Sequence, residues 1–140
     1  MKIFSDTSGL FALLVKNDYM HVRAKKNFEY FAKNRARLIT SSFVLVETIA
    51  LLQRRVSLEA VQDFHTKIYP LLEIIWIDRD IYLRAIQRLL LLKGKEISLV
   101  DCLSFEIMEA QEITYAFSFD KHFEVHGFSI AAFHELDDRN

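Results

Sequence analysis

Apolar residues fall in this chain as short, nearly unbroken runs separated by longer amphipathic stretches. KIFSD (2–6), RLIT (37–40), LEIIWID (72–78), YAFSF (115–119) and GFSIAAF (127–133) read as strands, with 72–78 the clearest buried one. Between them lie helical patterns. One carries Leu10, Phe11, Leu13 and Leu14; a more polar one spans about 21–33; an apolar one runs from Ser41 or Ser42 to Leu52. Further helices begin at Ser57, at Arg79 behind a capping Asp78, and at Ser98, with 93–95 ending the helix 79–92. Continuous rather than alternating apolar strands, each followed by helix, predict a parallel sheet buried on both faces. The reading is one α/β domain over 1–134, with a C-terminal tail at 135–140.

Composition narrows this picture. With 140 residues, 51% of them hydrophobic, the chain is sized for one core, and three Gly and one Pro leave no room for a loop-dominated or low-complexity design. A net charge of −1 provides no global field for nucleic acid, so such contacts must be local. The lone Cys102 cannot form an internal disulfide and reads as core. Asp6 interrupts the apolar start, which argues against a signal peptide, and no run approaches the ~20 apolar residues of a membrane span. A soluble cytoplasmic protein is expected.

Against this background four acids stand out. Asp6, Glu47, Asp101 and Asp120 sit inside or at the end of apolar segments, where an unpaired carboxylate is costly. Asp6 and Asp120 end strands, the edge at which α/β sheets build their sites. Each has an ordinary alternative: Asp6 as helix N-cap, Asp101 as partner of Ser98 in a capping box, Asp120 as a turn residue. Glu47 has the weakest alternative, because Phe43, Val44, Val46, Ala50 and Leu51 surround it. The five His show no H-x-x-x-H or H-E-x-x-H pairing, so an ordinary zinc site is not expected. Carboxylates alone form a hard oxygen site suited to Mg²⁺ or Mn²⁺, whose natural reaction is phosphodiester hydrolysis. Phosphate-binding glycine loops and a G-x-S-x-G elbow are absent.

Taken in order, Asp6-Thr7-Ser8 with Leu10 and Ala12-Leu13, Glu47 after Thr40-Ser41-Ser42, Ser98-Leu99-Val100-Asp101, and Ser118-Phe119-Asp120 followed by Phe123 resemble the PIN-domain ribonucleases. A compact chain of this kind is similar to the VapC-type toxins of toxin–antitoxin pairs. The resemblance implies a three-layer α/β/α sandwich around a parallel sheet of about five strands. It also implies Mg²⁺ or Mn²⁺ held by Asp6, Glu47, Asp101 and Asp120, and supporting hydroxyls from Thr7 or Ser8 and from Ser118. The activity implied is endonucleolytic cleavage of single-stranded RNA, with a small antitoxin and a second copy of the chain as partners. Arg54, Arg55, Lys93, Lys95 and Lys121 are candidate phosphate contacts. The alternative is a non-cleaving PIN-like module that binds RNA or protein; a phosphoacceptor receiver domain fits less well, since only one Asp ends the first strand.

Overall fold

The computed structural model describes residues 1–94 and 96–132. Five strands form one parallel sheet: β1 (Lys2–Ser5), β2 (Arg37–Ser41), β3 (Leu72–Ile75), β4 (Tyr115–Phe117) and β5 (Ser129–Ile130), in the order β3-β2-β1-β4-β5. The chain first builds outward from β1 to β2 and β3, then returns to lay β4 on the other side of β1. The carboxyl ends of β1 and β4 therefore flank the topological switch point, the crevice where open α/β sheets place ligands.

Successive residues of each central strand enter opposite cores, as a pleated sheet covered on both faces requires. Phe4, Ile39 and Ala116 join one core, and Ile3, Leu38 and Phe117 join the other. The helices α1 (Thr7–Leu14) and α2 (His21–Lys33) supply Ala12, Ala24 and Phe31 to the second core. The larger first core is built from α3 (Ser42–Arg55), α4 (Leu58–Lys67), α5 (Arg79–Leu91), α6 (Leu99–Ala110) and the short α7 (His122–Val125). Cys102 is fully buried there, as expected of a core residue.

The capping residues read from the sequence define several of these helices. The side chains of Ser41, Ser57 and Asp78 accept from the amides of Val44, Ala60 and Ile81 at 3.0, 3.0 and 2.9 Å. Two expectations need correction. The run 72–78 is not the most buried strand: β3 lies at the sheet edge, stops at Ile75, and is followed by a Trp76 that is 66% exposed. Aromatic and β-branched content signalled a strand but not its place in the sheet. The last strand is only two residues, Ser129–Ile130, and its predicted final residue Phe133 lies, with the tail, outside the described residues. The helix α7 has only four residues and left no periodic signal. No helix among the described residues is long and apolar enough to cross a membrane.

Candidate active site

Asp6 follows β1 directly and is 6% exposed. It occupies the N-cap position of α1 with extended backbone, yet its side chain makes no cap bond to that helix. Instead Oδ2 accepts from Ser8 Oγ at 3.1 Å and from Ser118 Oγ at 3.0 Å. The capping alternative thus accounts for the backbone of Asp6 but not for its carboxylate. The neighbourhood is a lattice of hydroxyls. Ser8 Oγ lies 3.1 Å from Ser118 Oγ and accepts the Phe119 amide at 2.9 Å, while Ser118 Oγ accepts the Asp120 amide at 3.0 Å. These bonds lace the end of β1 to the end of β4, reinforced by Asp6 N–H donating to the Phe117 carbonyl at 3.0 Å.

The close approach depends on Gly9. A Cβ there would stand 2.4 Å from the Phe117 carbonyl oxygen, so only glycine lets α1 rest on β4. Burial pushes the Asp6 carboxyl up to about 6, opposed by the Ser118 hydrogen bond and reinforced by the negative charge of Asp101, with the Thr7 amide and Ser8 pulling it back.

Asp101 sits in the first turn of α6. Its Oδ2 accepts the Ser98 amide at 3.1 Å while Ser98 Oγ accepts the Asp101 amide at 3.1 Å, so the capping box is real. The same Oδ2 also lies 3.3 Å from His122 Nδ1, so cap and site are two uses of one carboxylate. Asp120 follows β4, and its Oδ1 accepts the His122 amide at 2.9 Å and stands 3.2 Å from His122 Nδ1. Asp101, Asp120 and His122 each offer one donor atom within 4.8 Å of the others, all half-buried. No described Lys or Arg forms an ion pair with Asp6, Asp101 or Asp120. His122 is the residue that sequence reasoning missed. Its signal was the Asp120-Lys121-His122 spacing across a tight turn rather than any helical His pairing.

Glu47 differs from its expected setting. It is exposed, as are Val46 and Phe43, at 65% and 41%, so its helix presents an apolar outer face rather than burying the acid. It stands outside the group formed by Asp101, Asp120 and His122. Its neighbour Thr48 donates to Thr7 Oγ1 at 3.3 Å, which sets this turn of α3 against the residue following Asp6. That contact also separates the two hydroxyl candidates: Thr7 faces α3, and Ser8 faces Asp6.

The basic candidates are dispersed. Lys121 is exposed between Asp120 and His122. Lys93, with a left-handed backbone at φ 57°, lines a hollow with Ile97 and Leu99 near the start of α6. Arg54 and Arg55 end α3, ~18 Å along its axis from the sheet edge where it starts, and do not join the acids. Lys95 lies outside the described residues.

The chain matches the PIN domain over residues 3–128. It is 32% identical over 127 residues to the 23S rRNA-specific endonuclease VapC20 of Mycobacterium tuberculosis, spanning 90% of this chain and 95% of that protein. The crystal structure of VapC20, described as a Sarcin-Ricin loop cleaving toxin, superimposes with a TM-score of 0.80 at 31% identity, over 90% of this chain and 95% of that one. VapBC2 from Rickettsia felis, solved bound to a DNA fragment from its promoter, shares the fold with a TM-score of 0.70 at 21% identity, over 94% and 98% of the two chains.

Proposed function

The chain belongs to the PIN-domain family, and on that footing we propose that it is a Mg²⁺- or Mn²⁺-dependent endoribonuclease acting as the toxin of a toxin–antitoxin pair. The observation that supports this reading is the group of donor atoms from Asp101, Asp120 and His122 near the sheet's switch point, with the buried Asp6 close enough to feel the charge of Asp101 and no described Lys or Arg ion-paired to any of the three acids. Asp101 raises the Asp6 carboxyl through its charge, and a divalent cation between them would turn that repulsion into ligation. The donor set fits such an ion: carboxylate oxygens at a half-buried crevice, with serine hydroxyls fixing the innermost one.

Asp6, Asp101 and Asp120 would hold the cation, and the exposed Glu47 would close the site from α3. When bound, the ion supplies Lewis-acid stabilisation of phosphate oxygens and lowers the pKa of water. The protein's own part is positional. Ser8 and Ser118 hold Asp6 Oδ2 in one orientation, and the Ser98 capping box fixes Asp101 on the helix. Lys121, exposed beside Asp120, would meet a substrate phosphate.

The substrate is single-stranded RNA, and the named target of VapC20 makes a loop of ribosomal RNA the first to test. A small antitoxin would hold the toxin inactive. Exposed apolar residues, Phe43, Val46 and Ala50 on α3 and Leu83, Leu90 and Leu91 on α5, offer apolar surface for it or for a second copy of the chain. A single domain over 1–134, working in the cytoplasm, completes the proposal. It is tested by RNA cleavage with Mg²⁺ or Mn²⁺, comparing the native protein with Asp6→Asn and Asp101→Asn. Cleavage lost in both variants and on chelation is the expected result. Cleavage that persists through both substitutions and chelation refutes it, and RNA binding without cleavage under every metal condition favours a binding module.

A further inference from the structure

Carboxylates alone would make this a site for hard ions, but the structure adds a nitrogen. His122 is held on both sides of its own backbone. Ahead of it, the Asp120 carboxylate accepts its amide at 2.9 Å. Behind it, Phe123 is fully buried, with its ring centroid 6.4 Å from that of Phe4 and 5.3 Å from that of Phe105. The imidazole is therefore directed at the acids by a turn and an anchor, whereas a histidine on a free loop would leave for solvent.

Its Nδ1 stands almost equidistant from two carboxylate oxygens, 3.3 Å from Asp101 Oδ2 and 3.2 Å from Asp120 Oδ1. A charge-assisted hydrogen bond to either would draw to ~2.7–2.9 Å, whereas one Nδ1–H shared between both oxygens makes only a weak three-centre bond. The spacing instead matches a coordination polyhedron. An ion holding its ligands at ~2.1 Å and ~90° separates neighbouring donors by ~3.0 Å.

We propose that His122 Nδ1 is a ligand of the divalent cation, together with Asp101 and Asp120, and that this nitrogen makes the site prefer Mn²⁺ to Mg²⁺. Mg²⁺ is a hard ion that seeks oxygen and keeps its waters, while an imidazole ligand strengthens binding of transition ions more than of Mg²⁺. With Nδ1 on the ion, Nε2 keeps the proton of the neutral ring at the partly exposed outer edge of the side chain, which is 33% accessible. The inference rests on the metal-nuclease reading and deepens it by naming a ligand and an ion.

The test is pulsed electron paramagnetic resonance on the purified full chain loaded with Mn²⁺, with Mn²⁺ and Mg²⁺ affinities measured by titration. Native protein should show ¹⁴N coupling to the bound Mn²⁺, replaced by ¹⁵N coupling when its histidines are ¹⁵N-labelled. His122→Asn should lose the coupling and weaken Mn²⁺ binding by about tenfold or more, with Mg²⁺ affinity changed by less than about twofold. Thermal melts of this variant without metal serve as the folding control, and His122→Gln is the second variant should the first not fold. If Mn²⁺ binds native protein with no nitrogen coupling, and Asp101→Asn abolishes that binding, His122 is not a ligand and the inference falls while the nuclease reading stands. Failure of Mn²⁺ to bind, or binding indifferent to Asp101→Asn, overturns both.

Discussion

Asp6→Asn should make the metal-free protein more stable while abolishing its activity. The Asp6 carboxyl is 6% exposed and titrates at about 6 rather than at its ordinary 3.8, chiefly because burial disfavours its charged form. The folded state therefore holds this proton more tightly than the unfolded chain, and ionised Asp6 opposes folding. The opposition is absent below 3.8, grows between 3.8 and about 6, and is complete above that range. The gap corresponds to about 3 kcal/mol at neutral pH. Asparagine removes the charge and keeps one oxygen to accept from Ser8 and Ser118, but its NH₂ lacks a partner, which returns about 1–2 kcal/mol. The net gain is ~1–2 kcal/mol, or ~3–7 °C in Tm for a chain of this length.

Urea or thermal unfolding in chelator checks this. The variant's advantage should be near zero or negative at about pH 4 and fully developed at about pH 8. Adding Mn²⁺ should then reverse the order, since a ligand of the folded state stabilises native protein and leaves the variant behind. An advantage that does not vary with pH, or a variant less stable than native protein at about pH 8 in chelator, refutes the account of Asp6 as a carboxylate kept in a costly place for its function.

Gly9→Ala should force α1 away from β4, because the new Cβ would lie 2.4 Å from the Phe117 carbonyl oxygen; a loss of about 1–3 kcal/mol in chemical denaturation and a severe fall in cleavage are expected. Ser118→Ala removes the hydrogen bond that most opposes the rise of the Asp6 pKa, so the acid limb of the pH–rate profile should move to higher pH. Arg88 bridges Glu106 at 2.9 Å and Glu109 at 2.6 Å with 19% of its side chain exposed, so Arg88→Met should cost roughly 1–3 kcal/mol by thermal melt. Cleavage by that folded variant should stay unchanged, since the bridge lies between α5 and α6 away from the acids.

What was legible in the sequence follows from the range of the physics involved. Local signals survived well: the caps at Ser41, Ser57, Asp78 and Ser98 are bonds between residues three apart, and each is present. Parallel pairing was legible because strands buried on both faces cannot alternate. Position within the sheet was not, since an edge strand such as β3 carries the same apolar letters as a central one. Glu47 shows the converse error. Apolar neighbours on a helix predict burial, yet Phe43, Val46 and Ala50 turn outward with it, and an exposed apolar face looks identical in sequence to a core face. Asp101 was read as either a cap or a site residue, and its Oδ2 serves both, so a satisfied local role is no argument against a distant one. His122 has no partner at the helical spacing that marks an ordinary metal-binding histidine pair. Here the geometry comes from a turn that returns the side chain to the acid two residues earlier, and the third donor arrives from a helix 21 positions away. Sites assembled at a switch point draw their donors from strand ends and helix starts far apart in the chain, so their spacing records the topology of the sheet rather than the reach of any one motif.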